Sequence, residues 1–112
     1  MSNLPYSIPT RIKASTVIHT EPCFLMKIVI GTDGSTDPTV AAYNEANGSA
    51  TEAKMILPSI TYDASALGIN EAIYQFAEYL DTGLYVSIAN MGTGCVIVST
   101  RTKSSLFRIK LS

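Results

Sequence analysis

From Arg11 to Thr100 the chain is cut into short apolar runs by turn-forming residues, a cadence that suits strands and leaves almost no room for long helices. Arg11 to Thr20 is rich in β-branched residues, with Ile12, Thr16, Val17, Ile18 and Thr20, and predicts a strand that Pro22 ends. Cys23 to Ile30 is a nearly continuous apolar run, short enough for a buried strand. Residues Gly31 to Pro38 form a loop by local chemistry, because Asp33-Gly34 supplies positive φ and Asp37-Pro38 closes the turn. Thr39 to Tyr43 is a short strand, and Asn47-Gly48 is a two-residue hairpin signal with Thr51 to Leu57 as the returning partner, stopped by Pro58. Leu84 to Ala89 alternates, Gly92-Thr93-Gly94 turns, and Cys95 to Thr100 is the plainest strand of all.

Two segments are less regular. Ser59 to Gly68 reads as a crossover loop holding one helical turn, with Asp63 as its cap and Gly68 at its end. At 69–80, Ile69, Ile73, Phe76 and Leu80 fall at helical spacing, yet the surrounding cadence favours a strand feeding the turn Asp81-Thr82-Gly83. The expected fold is therefore all-β, a β-sandwich or jelly-roll-like domain over 11–102, and a helix at 69–80 would make it α+β instead. Residues 1–10, with Pro5 and Pro9, form an extended N-terminal arm. Residues 103–112 form a basic C-terminal tail, strictly alternating over Phe107-Arg108-Ile109-Lys110-Leu111 and able to add a strand to a sheet edge.

Charge is scarce and unevenly placed. Charged residues make up 15% of the chain and apolar ones 46%, so a domain with this much surface is expected to cover part of it with other subunits, as a homo-oligomer or in a larger assembly. From Ile28 to Thr100 there are eight acids and one base, Lys54; the two ends carry Arg11, Lys13, Lys27, Arg101, Lys103, Arg108 and Lys110 against Glu21 alone. Basic ends opposed to an acidic middle suit contacts between neighbours in a repeating assembly. Dispersed bases on a net-acidic chain make a poor phosphate-binding pattern, so no nucleic acid is expected. No apolar run is long enough to span a membrane and the N-terminus is no secretory signal, so no membrane partner and synthesis in the cytosol are expected.

The chemical inventory is thin, and no enzyme is expected. His19 is the only histidine, it lies in Val-Ile-His-Thr, and nothing beside it forms a nucleophile motif; a small hydrolase using His19 is the least favoured reading. Cys23 and Cys95 sit in apolar runs and read as buried reduced thiols, and a disulfide needs their strands to face each other. Asp33-Gly34-Ser35-Thr36-Asp37 places oxygens at alternate positions like half a calcium loop but lacks the bidentate Glu, so a turn is preferred and no metal or cofactor is expected. Tyr43, Tyr62, Tyr74, Tyr79 and Tyr85 are scattered and read as core-edge residues more readily than as a sugar platform.

Four stretches, His19-Thr20-Glu21-Pro22-Cys23, Gly31 to Val40, Thr61 to Gly68 and Thr82 to Val86, together resemble small β-rich virion structural proteins of tailed bacteriophages, over roughly residues 15–100. The resemblance implies a capsid decoration or cement subunit of the virion that binds the major capsid protein or other virion proteins, with no catalytic residues to carry over. A neck, tail or fibre component and a carbohydrate-binding β-sandwich module are the alternatives. Partner binding is expected at the ends, through Leu4, Tyr6 and Ile8 in the arm and Arg101, Lys103, Leu106, Phe107, Arg108, Ile109 and Lys110 towards the tail.

Overall fold

The computed structural model describes residues 7–67, 70–75 and 77–102, where the strand cadence becomes two antiparallel sheets packed as a sandwich. Among the described residues nine strands run in chain order: β1 (Ile8–Ile12), β2 (Thr16–His19), β3 (Cys23–Gly31), β4 (Thr39–Tyr43), β5 (Met55–Thr61), β6 (Asn70–Tyr74), β7 (Glu78–Leu80), β8 (Leu84–Ala89) and β9 (Cys95–Thr102). The first sheet has the order β1-β9-β3-β6, with β7 also paired to β3, and the second has the order β2-β8-β4-β5. The all-β expectation holds. The helical elements are a 3-10 turn at Glu52–Lys54 and a single helical turn, α1 (Ala64–Leu67).

Inward side chains of both sheets form one core. On β9 burial alternates cleanly, with Val96, Val98 and Thr100 inside. On β3 the inward set is Cys23 and Leu25, then Ile28 and Ile30, because the pairing with β9 shifts between Leu25 and Lys27 and Met26 is the extra residue. That bulge changes the phase of the strand, which is why Cys23 to Ile30 looks continuously apolar in sequence. Val40, Ala42, Val86 and Ile88 of the second sheet close the core from the other side. Burying each such branched side chain stabilises the fold by about 1.5–3 kcal/mol relative to exposing it.

Several boundaries differ from the sequence expectation. The single strand expected over Arg11 to Thr20 is two strands in different sheets, and the part of the expected arm from Ile8 onward is already sheet. The switch occurs over Lys13-Ala14-Ser15, where the Ser15 hydroxyl accepts from Ile88 N–H at 2.9 Å and donates to the Ile88 carbonyl at 3.2 Å. A side chain thus replaces a rung of the β2–β8 ladder. Pro9 is tolerated because β1 is an edge strand.

Pro58 does not stop a strand; it lies inside β5, also an edge strand, where the register against β4 slips between Val40↔Ile60 and Ala42↔Leu57. Nor is Asn47-Gly48 a two-residue hairpin, since residues 44–54 connect β4 to β5 and Asn47 serves only a local turn with Ser49 N–H at 3.0 Å. The expected helical turn is present, with Ser65 N–H donating to Asp63 Oδ1 at 3.0 Å, but the crossover begins later than expected because Ser59 to Thr61 belong to β5, and Gly68 lies outside the described residues. The strand expectation for 69–80 holds in two pieces, β6 and β7, both paired with β3 and joined across their break by Tyr74 O–H donating to Glu78 at 2.6 Å. Ile69 and Phe76, and the whole of 103–112, lie outside the described residues.

Candidate interaction surface

Strand register sorts the charges of the chain ends onto one side of the first sheet. Residues directly opposite in antiparallel strands share a face. One outward row is Arg11, Ile97 and Val29; the next is Pro9, Ser99 and Lys27; a third is Arg101, Phe24 and Tyr79. Arg11 and Lys27 are exposed, Phe24, Val29 and Ile97 are half-buried, and Tyr79 is 54% exposed. The Phe24 and Tyr79 rings lie 5.2 Å apart at a 54° tilt, an edge-like pair and not a flat platform. This face therefore combines three cations with a patch of apolar and aromatic groups.

Arg101 is the half-buried member, and among the described residues its Nε is buried without a hydrogen-bond partner. An unsatisfied buried donor is costly, so an acceptor arriving on this face has something to gain there. Ile8, the other expected contact residue within the described chain, pairs with Thr100 at the edge of the same sheet and remains 47% exposed. Ile8 and Arg101 thus lie on adjacent strands at one end of the sandwich but on opposite faces of the sheet. Leu4, Tyr6, Lys103, Leu106, Phe107, Arg108, Ile109 and Lys110 lie outside the described residues. Phe24, Lys27 and Tyr79 were missed as contact candidates because only the register reveals which side of a strand faces out.

The opposite end carries the loops 32–38 and 90–94 and the segment 62–67 before β6. Asp33 organises it: its Oδ1 accepts from Ser35 N–H at 2.9 Å and Thr36 N–H at 2.8 Å, and its Oδ2 accepts from the Thr36 hydroxyl at 3.0 Å and Thr93 N–H at 3.2 Å. Those donors, Ser35 N–H first, hold the Asp33 carboxyl far below the usual carboxylate range. The oxygens that looked like half a calcium loop are thus aimed at the chain's own N–H groups. No group of three or more His, Cys, Asp or Glu side chains capable of holding a metal occurs among the described residues. Asp37 Oδ1 accepts from Ala64 N–H at 2.9 Å, and Asn90, at φ 58°, donates to the Asp37 carbonyl at 3.0 Å.

His19 points into the sandwich, with Nε2 2.7 Å from the Thr100 hydroxyl. Burial lowers its pKa, partly opposed by the Glu21 carboxylate. Thr100 is 1% exposed and His19 is half-buried, so the bond reaches from the sandwich edge into the core. Cys23 and Cys95 are free thiols at opposite ends of the β3–β9 ladder, opposite Thr102 and Gly31 respectively, so they do not pair. Burial, followed by the nearby Glu21 charge, pushes the Cys23 thiol up to about 11. No helix among the described residues is long and apolar enough to cross a membrane.

Comparison with protein-family models, curated proteins and solved structures found no match.

Proposed function

We propose that this protein is a structural subunit of a bacteriophage virion, a decoration or cement protein that stabilises the head by bridging neighbouring coat proteins. The observation that carries the reading is the Ile8↔Thr100 pairing, which sets the start and the exit of the described chain side by side on β1 and β9. The first and last described residues, Ser7 and Thr102, therefore lie at the same end of the sandwich on adjacent strands, and the sequence after Thr102 adds Lys103, Arg108 and Lys110 without an acid. Two arms anchored at one point can reach two neighbours while the sandwich stays intact. Backbone pairing with a neighbour's sheet edge would supply affinity, and the entropy of ordering the arms would set its limit. The sequence resemblance to small β-rich phage virion proteins supports the same reading.

The test is addition of purified protein to heads assembled without it. The full chain is expected to bind in numbers that scale with the coat protein, and deletion of 103–112 is expected to reduce occupancy while the thermal melt is kept. Equal occupancy by the truncated chain removes the tail from the account. A small fixed copy number per particle assigns the protein to the neck, tail or a fibre.

A further inference from the structure

We propose that Asn47 is a self-modification site, at which the folded chain converts its own side-chain amide into aspartate and isoaspartate through attack by the Gly48 nitrogen. This inference stands apart from the coat-binding role, because it uses neither the terminal segments nor the outward face of the first sheet. Asn47-Gly48 is a strong hairpin signal in the sequence, yet in the structure it sits within the longer connection from β4 to β5.

That connection has an anchored part and an open part. Glu45 and Ala46 lie against the turn before β8, so closely that a Cβ on Gly83 would sit 2.9 Å from the Glu45 carbonyl oxygen and from Ala46 Cα. Asn44 N–H donates to the Lys54 carbonyl at 2.8 Å and closes the base. Between these anchors, Asn47 to Thr51 are all exposed. The Asn47 side chain bends back along its own peptide, because its Oδ1 accepts from Ser49 N–H at 3.0 Å. The same donor polarises the side-chain carbonyl and faces the oxygen on which negative charge develops when Cγ is attacked. Gly48 N–H donates to no acceptor among the described residues, so no ladder or turn bond holds its nitrogen away from Cγ. A Cβ on Gly48 would meet only the Tyr85 ring, at 3.9 Å, so the peptide has room to turn.

The reaction needs water and no oxidant or reductant. A solvent base takes the Gly48 amide proton, the nitrogen bonds to Asn47 Cγ, and the Cγ–Nδ2 bond breaks as ammonia leaves with a proton from water. Water then opens the cyclic imide, at Cγ to give isoaspartate's normal isomer, aspartate, with the ring nitrogen left on the main-chain carbonyl, or at the Asn47 main-chain carbonyl to give isoaspartate. Either product adds one carboxylate to a chain of formal net charge −1. Asn44 and Asn90 are the internal contrast. Asn44 commits its amide to Asp81, Thr82 and Gly83. Asn90 donates to the Asp37 carbonyl and precedes Met91, which is 5% exposed. Both amides are tied to distant parts of the fold, and the folded state protects them.

Timed incubation of the full chain at pH 7.4 and pH 9, followed by peptide mapping with mass spectrometry, tests the proposal. The Asn47 peptide is expected to gain about 1 Da, the exchange of ammonia for water, and to split into two chromatographic forms. The gain is expected to be faster at the higher pH, with Asn44 and Asn90 unchanged. Gly48→Ala, at a position with room for the methyl group, is expected to slow the gain at least about tenfold. In urea at the same pH, Asn47 is expected to react no faster than in the native protein, because the Ser49 bond that favours attack is lost. An Asn47 peptide that keeps its mass in the native protein overturns the proposal. So does conversion of Asn44 or Asn90 ahead of Asn47, a Gly48→Ala chain that reacts at the wild-type rate, or an unfolded chain that converts Asn47 many times faster than the folded one.

Discussion

His19 Nε2 lies 2.7 Å from the Thr100 hydroxyl, and this bond joins β2 of one sheet to β9 of the other across the core. It is a polar tie beside a core built mainly of Leu, Ile and Val. Thr100→Val removes the hydroxyl while keeping the volume, so it leaves the inward ring nitrogen unsatisfied. The variant is expected to lose about 1–3 kcal/mol. For a domain of this size that lowers the melting temperature by roughly 4–8 °C per kcal/mol, readable by calorimetry.

The same residue sets a pH dependence. His19 titrates below its ordinary value of 6.5 in the folded protein, because burial disfavours the imidazolium more than Glu21 favours it. Below that value the unfolded chain binds more protons than the folded one, so stability falls as pH drops through 6.5 to the folded pKa and then levels. His19→Gln is expected to flatten this part of the stability–pH curve in urea titrations from pH 7.5 downward. An unchanged slope would place the proton uptake elsewhere.

Gly83 and Gly94 are where backbone passes backbone. A Cβ on Gly83 would lie 2.6 Å from the His19 carbonyl oxygen and 2.9 Å from Ala46 Cα, and one on Gly94 would run into the Gly31 carbonyl oxygen. Gly83→Ala and Gly94→Ala are each expected to cost about 1–3 kcal/mol. Gly48→Ala meets only the Tyr85 ring edge at 3.9 Å and is expected to be neutral or slightly stabilising, by up to about 1 kcal/mol. Chemical denaturation of the three variants separates the two classes.

Asn44 holds the turn that starts β8. Its amide donates to Asp81 at 2.8 Å, and its oxygen accepts from Thr82 N–H at 3.0 Å and Gly83 N–H at 3.2 Å. Asn44→Ala is expected to speed hydrogen exchange at Thr82 and Gly83 selectively. Asp81 titrates below its ordinary value, chiefly through the Asn44 bond and then through the Thr82 hydroxyl, so its contribution is present above the ordinary carboxylate range and lost as pH falls through the folded value. In the Asn44→Ala variant, NMR titration should find the Asp81 pKa moved upward.

Thiol labelling separates the cysteines. Cys23 is 1% exposed with its thiol raised to about 11, whereas Cys95 is half-buried on the outward face of the first sheet. At pH 8 a disulfide reagent is expected to label Cys95 in the native protein and to reach Cys23 only on unfolding. Equal rates in the native state would mean that the β3 end opens readily.

The sequence by itself determined the elements that depend on local chemistry. Alternation in Cys95 to Thr100 and Leu84 to Ala89, the Asp33-Gly34 loop and the Asp63-capped turn are short-range patterns that no distant contact had to supply. Ile8 and Arg101 were named from their place near the ends of the strand cadence, but the face each takes is set by register. Tertiary structure decided the rest. Whether Pro58 ends a strand depends on β5 lying at a sheet edge, where its missing N–H costs no ladder bond. Whether Arg11 to Thr20 is one strand or two depends on Ser15 meeting Ile88 far along the chain. The joining of Arg11, Lys27 and Arg101 on one face was hidden for the same reason, since side-chain direction in β3 changes at the Met26 bulge and partners are set by pairing between strands remote in sequence.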